Sequence, residues 1–181
     1  MIRIWNNHET FVEAAMTVIS EELLEALRAD ESGDLDAIIE RRRAEDFDAL
    51  RSLLTLDPAV EPSHRAKAIY ALGRWGDPAV TEAIQSLLPG LEKAERIGAI
   101  DALGRLGAED ALDDILEYID DESVSVRKFV ARALGRINTP RARTELRKLE
   151  RTDPSDYIRS LASKLLSREE GSGDQAQSAG R

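Results

Sequence analysis

The sequence predicts an all-α protein, a short right-handed α-solenoid of stacked antiparallel helix pairs closed at its start by N-terminal capping helices. Two observations carry this reading. Ala-Leu-Gly-Arg occurs at Ala71–Arg74, Ala102–Arg105 and Ala133–Arg136, each start 31 residues after the last. A fixed period of about 30 residues marks one small unit stacked several times. The periodicity also extends beyond the tetrapeptide. Counted from Arg65, Arg96 and Arg127, the apolar sets Ala68/Ala99/Val130, Ile69/Ile100/Ala131 and Leu72/Leu103/Leu134 fall at i+3, i+4 and i+7. That spacing is the buried stripe of a helix.

Taken in chain order, Val12, Ala15, Met16, Ile19, Leu23 and Leu27 form a helical stripe from about His8 to Arg28, and Asp34–Arg43 predicts a second short helix. Residues 1–43 are read as the cap, because a solenoid needs atypical end units over its exposed core. Ala49, Leu53 and Leu56 precede Val80, Ile84 and Leu87 by 31 residues, so the repeats begin near residue 44. Within each full unit the first helix stops at Gly76, Gly107 or Asn138, residue types that accept the left-handed conformation ending a helix. Asp77, Ala108 and Thr139 then fall at the N-cap, and Pro78, Glu109 and Pro140 open the second helix.

The second stripe is Val80/Ala111/Ala142, Ile84/Ile115/Leu146 and Leu87/Tyr118/Leu149. Gly73, Gly104 and Gly135 recur inside the first helix, where glycine costs on the order of 1 kcal/mol relative to alanine. Their common register predicts close approach of a neighbouring helix. A shift of 32 aligns Ile158-Arg159 and Leu166-Ser167-Arg168 with the preceding unit, so a degenerate last repeat runs to residue 168. Residues 169–181, rich in Gly, Ser and Gln, are expected to form a disordered tail.

The helix built on Arg-x-x-Ala-x-x-Ala-Leu-Gly-Arg-x-Gly, followed by Asp-Pro-x-Ala-Val and a second helix, resembles the HEAT-like repeats named after phycobilisome lyases. The resemblance covers residues 44–168. It implies a helical stack of the kind found in bilin lyases, hydroxylases and adaptors, and a fold shared so widely does not by itself assign an activity.

With 181 residues, 42% of them apolar, one folded body with a sizeable core is expected. No apolar run approaches the roughly 18 residues of a membrane span. Met1–Glu9 lacks a basic-then-apolar signal pattern, and a cytoplasmic protein is the expectation. The absence of cysteine excludes a disulfide framework and thiolate metal sites.

The net charge of −10 is unevenly distributed. Residues 1–40 hold ten acids and two arginines, and residues 101–126 hold nine acids and one arginine. Residues 127–168 hold twelve Lys and Arg against four acids. Such asymmetry bears on partners.

Catalytic readings fail on inventory. The chain has no Gly-rich phosphate loop, no cysteine nucleophile and no Gly-x-Ser-x-Gly elbow. Its two histidines are His8 and His64. HEAT-repeat hydroxylases of the deoxyhypusine type hold two irons with several His-Glu pairs, whereas here only His8-Glu9 matches, outside the repeats. His64, just before a repeat helix, reads as a capping or exposed residue. Asp113, Asp114, Glu117, Asp120, Asp121 and Glu122 lack a cation-loop spacing with a turn glycine and read as a solvated face. Arg65, Arg96 and Arg127 are expected to pair with loop acids, for which Asp57, Asp121 and Asp153 are available. Arg74, Arg105 and Arg136 are expected to serve helix C-termini. No catalytic group, metal or cofactor is assigned.

In HEAT-like stacks the second helices line the concave face, which makes their outward positions the candidate site. These are Arg51, Leu54, Glu82, Gln85, Asp113, Leu116, Glu117, Arg143, Arg147 and Lys148, with Leu54 and Leu116 as apolar anchors in a charged groove. The function predicted is a non-catalytic adaptor holding a segment of another protein, the acidic-to-basic gradient setting its orientation. Head-to-tail self-association of the acidic N-terminal helices with the basic C-terminal repeats is a variant. Nucleic-acid binding is the second reading. It wants basic residues along several units, and Trp75, in register with Leu106 and Ile137, is expected in the core rather than in a stacking row. A bilin-lyase-like cofactor-attachment factor is a third, resting on the resemblance alone.

Overall fold

A computed structural model describes residues 19–29, 33–55, 57 and 60–177. Within them the backbone forms ten α-helices and three short 3-10 turns, with no strand among the described residues. The chain divides into two compact units, Met1–Ala99 and Ile100–Arg181, where composition predicts one body.

The first unit contains α1 (Glu21–Arg28), α2 (Gly33–Arg41), α3 (Ala44–Ser52), α4 (Pro62–Trp75) and α5 (Thr81–Leu87), and the division falls within α6 (Lys93–Leu106). The helix expected from His8 to Arg28 is not continuous. Ser20 is extended, and its hydroxyl accepts a hydrogen bond from the Leu23 amide at 3.2 Å, so α1 starts at Glu21. A serine followed by two glutamates is a strong local start signal, since it satisfies an orphan N–H and places acids at the positive end of the helix. Ile19 is buried but precedes the helix, and Val12, Ala15 and Met16 lie outside the described residues.

α1 buries Leu23, Ala26 and Leu27, and α2 buries Leu35, Ile38 and Ile39. α2 ends at Arg41, two residues early, because Arg42 turns left-handed at φ 50°. Lys67 of α4 donates to the carbonyls of Leu27 and Ala29, which satisfies the open end of α1. Trp75 is core, as expected. Its ring lies 5.5 Å from that of Phe47, and the Arg42 guanidinium stands 5.7 Å above it.

The second unit continues α6 into α7 (Leu112–Leu116), α8 (Val124–Ile137), α9 (Pro140–Thr152) and α10 (Asp156–Gln177). Here the 31-residue register appears directly as burial, since Leu103 and Leu134, Ala111 and Ala142, and Ile115 and Leu146 are all at most 2% exposed. Each side chain as large as Leu or Ile so buried contributes about 1.5–3 kcal/mol of transfer free energy. The stop signals act as predicted. Gly107 and Asn138 take φ 64° and 53°, and Gly76 in the first unit takes 77°. Thr139 caps α9 by accepting from the Ala142 amide at 3.2 Å. α7 is only five residues long, so Tyr118 falls beyond its end and is half-buried.

Two of the three repeated interior glycines, Gly104 and Gly135, meet the close approach that the register implies. A β-carbon on Gly104 would stand 2.6 Å from the Ala133 Cα, and one on Gly135 would meet the Leu165 side chain at 3.1 Å. α10 buries Ile158, Ala162 and Leu166, the stripe of the degenerate last repeat. Its helix runs to Gln177, past the point where composition predicts loss of order, and residues 178–181 lie outside the described residues.

Candidate partner-binding faces

The predicted site residues fall on two sets of second helices, one in each unit. In the first unit Arg51 is exposed on α3, its guanidinium 3.6 Å from Asp48. Glu82 is exposed and Gln85 half-buried on α5. Leu54 lies after the end of α3 and is half-buried, so it is not a helix-borne anchor in solvent. In the second unit Asp113 is exposed on α7, Leu116 is half-buried at its last position, and Glu117 is exposed just beyond. On α9, Arg147 and Lys148 are exposed and Arg143 is half-buried.

Helix α9 positions its cations by strict two-sidedness. Ala142, Leu146 and Leu149 are buried, which turns Arg141, Arg147, Lys148 and Arg151 outward. Arg141 donates to Asp113, and this contact raises its already high pKa. Lys148 is 4.0 Å from Glu145. Arg147 and Arg151 have no ion-pair partner among the described residues. The acidic α7 and basic α9 are therefore partly neutralised where they meet, with uncompensated positive charge left further along α9.

The repeated arginines of the first helices are structural. Arg65, Arg96, Arg127 and Arg159 each donate to a carbonyl of the preceding loop, at Thr55 (2.8 Å), Leu91 (2.9 Å), Asp121 (2.7 Å) and Asp153 (2.6 Å). Arg127 also forms two bonds to the buried Asp153 carboxylate, at 2.8 and 3.1 Å, as the pairing expectation requires. Burial works against the Asp153 charge, but Arg127 and the Ser155 amide outweigh it and hold its pKa below the ordinary carboxylate value. Arg65 reaches Glu95 at 2.7 Å, an acid the sequence pattern did not single out.

Arg74, Arg105 and Arg136 differ from expectation. They turn to side chains, and Arg136 also to the Asp101 carbonyl at 3.3 Å, rather than to the ends of their own helices. Arg74 contacts the Tyr70 hydroxyl at 3.2 Å and lies 3.6 Å from Asp36. Arg105 and Arg136 close on one carboxylate, Asp101, at 2.8 and 2.6 Å. Burial opposes ionisation of Asp101 as well, and the two guanidinium contacts prevail, lowering its pKa.

His64 is half-buried in the first turn of α4, and His8 lies outside the described residues. Among the described residues no group of three His, Cys, Asp or Glu is placed to hold a metal ion, and no helix is long and apolar enough to cross a membrane. Two exposed apolar side chains went unnoticed in the sequence, Val124 at 43% and Tyr157 at 55%, at the starts of α8 and α10. Helix starts interrupt the stripe, so periodicity gives no signal for them.

The family model for HEAT repeats matches residues 84–167, which run from α5 into α10. The match agrees with the helical fold and the 31-residue register and supports reading this stretch as HEAT-like repeats. No curated protein matches it.

Proposed function

We propose that the chain is a non-catalytic protein-interaction module that holds a segment of another protein on its second helices. HEAT repeats commonly serve as such scaffolds, and the Ala-Leu-Gly-Arg helix resembles the phycobilisome-lyase kind of repeat, which adaptors also use. The observation that carries the reading is the exposed basic side of α9, where Arg147 and Arg151 project without partners beside Lys148. Side chains that hold no fold contact, lined up on one helix, are free to meet a ligand. The segment they suit is acidic, with an aliphatic residue to cover the half-buried Leu116. In the first unit Arg51, Leu54, Glu82 and Gln85 supply a second, mixed-charge stretch of the same kind.

A pull-down from native lysate tests this, with nuclease present and absent, comparing wild type with Arg143→Glu/Arg147→Glu/Lys148→Glu. The reading expects a stoichiometric protein that survives nuclease and is lost by the variant. Recovery of nucleic acid released by moderate salt would replace it with the phosphate-binding alternative. Equal recovery by both forms removes α9 from the site.

A further inference from the structure

The first-helix side of the second unit is a different surface from the one above. Helices α8 and α10 lie against each other, held near their starts by Arg127 and Asp153 and further along by Gly135 and Leu165. Opposite their buried stripes stand the half-buried Lys128 and Phe129 and the exposed Arg132, Tyr157 and Lys164. Phe129 props the cations in place, with the Lys128 ammonium 4.8 Å and the Arg132 guanidinium 5.7 Å from its ring centroid. Among the described residues Lys128, Arg132 and Lys164 make no ion pair. α8 contains no acid at all, and α10 contains none between Tyr157 and Arg168. Apart from Asp156, which pairs with Arg159 at the start of α10, the face is cationic around an aromatic ring, and Tyr157 is exposed at the same helix start.

The complementary surface is present on the same chain. The outer sides of α1 and α2 present Glu21, Glu25, Asp34 and Glu40, all exposed and without an ion pair among the described residues. The sole cation of α1, Arg28, stands in its last turn. We infer that the basic face of α8 and α10 is a docking surface for a second copy of this chain, which presents the acid-bearing side of its α1 and α2. One patch meeting a different patch is a heterologous contact, so copies add head to tail. Charge complementarity sets the pairing and its rate, and the aromatic side chains supply area that loses water on contact.

Sedimentation velocity of the full chain at about 50 mM and about 0.5 M salt is the test, since screening shortens from above 10 Å to a few ångströms over that range. The wild type is expected to exceed monomer mass at low salt, in proportion to concentration, and to return to monomer at high salt. Arg132→Glu/Lys164→Glu and Glu21→Lys/Glu25→Lys should each weaken association at least about tenfold, and mixing the two variants should restore it. These positions are exposed, and a thermal melt checks that each variant folds. Arg147→Glu/Lys148→Glu on α9 should leave association unchanged, which separates this surface from the partner-binding one. A wild type monomeric at low salt overturns the inference. So does association that ignores salt, survives both reversals, or is lost only through α9.

Discussion

Gly104 and Ala133 meet backbone to backbone, with room for nothing between them: a β-carbon on Gly104 would stand 2.6 Å from the Ala133 Cα and 2.8 Å from its Cβ. Helix propensity alone favours alanine at this position by about 1 kcal/mol. The contact reverses that sign, because backbone cannot yield as a side chain can. Gly104→Ala is therefore expected to destabilise the protein by about 1–3 kcal/mol in urea unfolding. Gly135→Ala meets only the Leu165 side chain at 3.1 Å and should be near neutral. A Gly104→Ala protein as stable as wild type would refute the close-packing account.

Asp153 is the carboxylate on which the buried Arg127 depends, and both are under 10% exposed. Asp153→Ala strands the guanidinium in a dry site and is expected to cost about 3–5 kcal/mol, read as the denaturation midpoint at unchanged m-value. The solvent-exposed pair Arg51–Asp48 supplies the control, since Asp48→Ala should change stability by less than about 1 kcal/mol.

Acid should unfold the protein through the same carboxylates. Asp101 and Asp153 have pKa values lowered in the folded state, so they bind protons more tightly when unfolded. Their contribution is complete above the unfolded value of about 3.9 and is lost as pH falls through the lower folded values. Unfolding midpoints should hold steady from neutrality to about pH 4 and fall below it. The Asp101→Asn/Asp153→Asn protein should lose part of that acid-side slope. Equal slopes in the two proteins would contradict the assignment.

Asn138 ends α8 at φ 53° in the left-handed region. Asn138→Gly should be tolerated or slightly stabilising, whereas Asn138→Val should cost about 1–2 kcal/mol, because a branched β-carbon crowds the following carbonyl there. Thermal melts of the two variants decide it.

The fold was legible wherever one residue type had one physical use. Gly76, Gly107 and Asn138 marked helix ends because few residues accept positive φ, and Gly104 marked a close approach because few positions exclude a β-carbon. Competing uses hid the rest. Ile19 fits the stripe of a longer helix, yet the Ser20 cap starts α1 after it. Arg136 sits where it could serve the end of its own helix, yet Asp101 on a neighbouring helix offers it a carboxylate and a carbonyl together. Glu95 carried no signal because it stands in the first turn of α6, whereas the expected partners were loop aspartates. The candidate site was read as a set of outward positions, and the structure orders that set by burial, drawing Leu54 and Leu116 partly inward.

The Arg127–Asp153 pair also fixes where the chain can be shortened. The arginine belongs to one repeat and its counter-ion to the loop that opens the next. Trimming from the C-terminus is therefore not graded. A cut after Ser155 leaves the pair whole, while a cut ahead of Asp153 takes from the preceding repeat the carboxylate that its buried Arg127 holds. A lineage shedding repeats from this end would have to replace Arg127 in the same step.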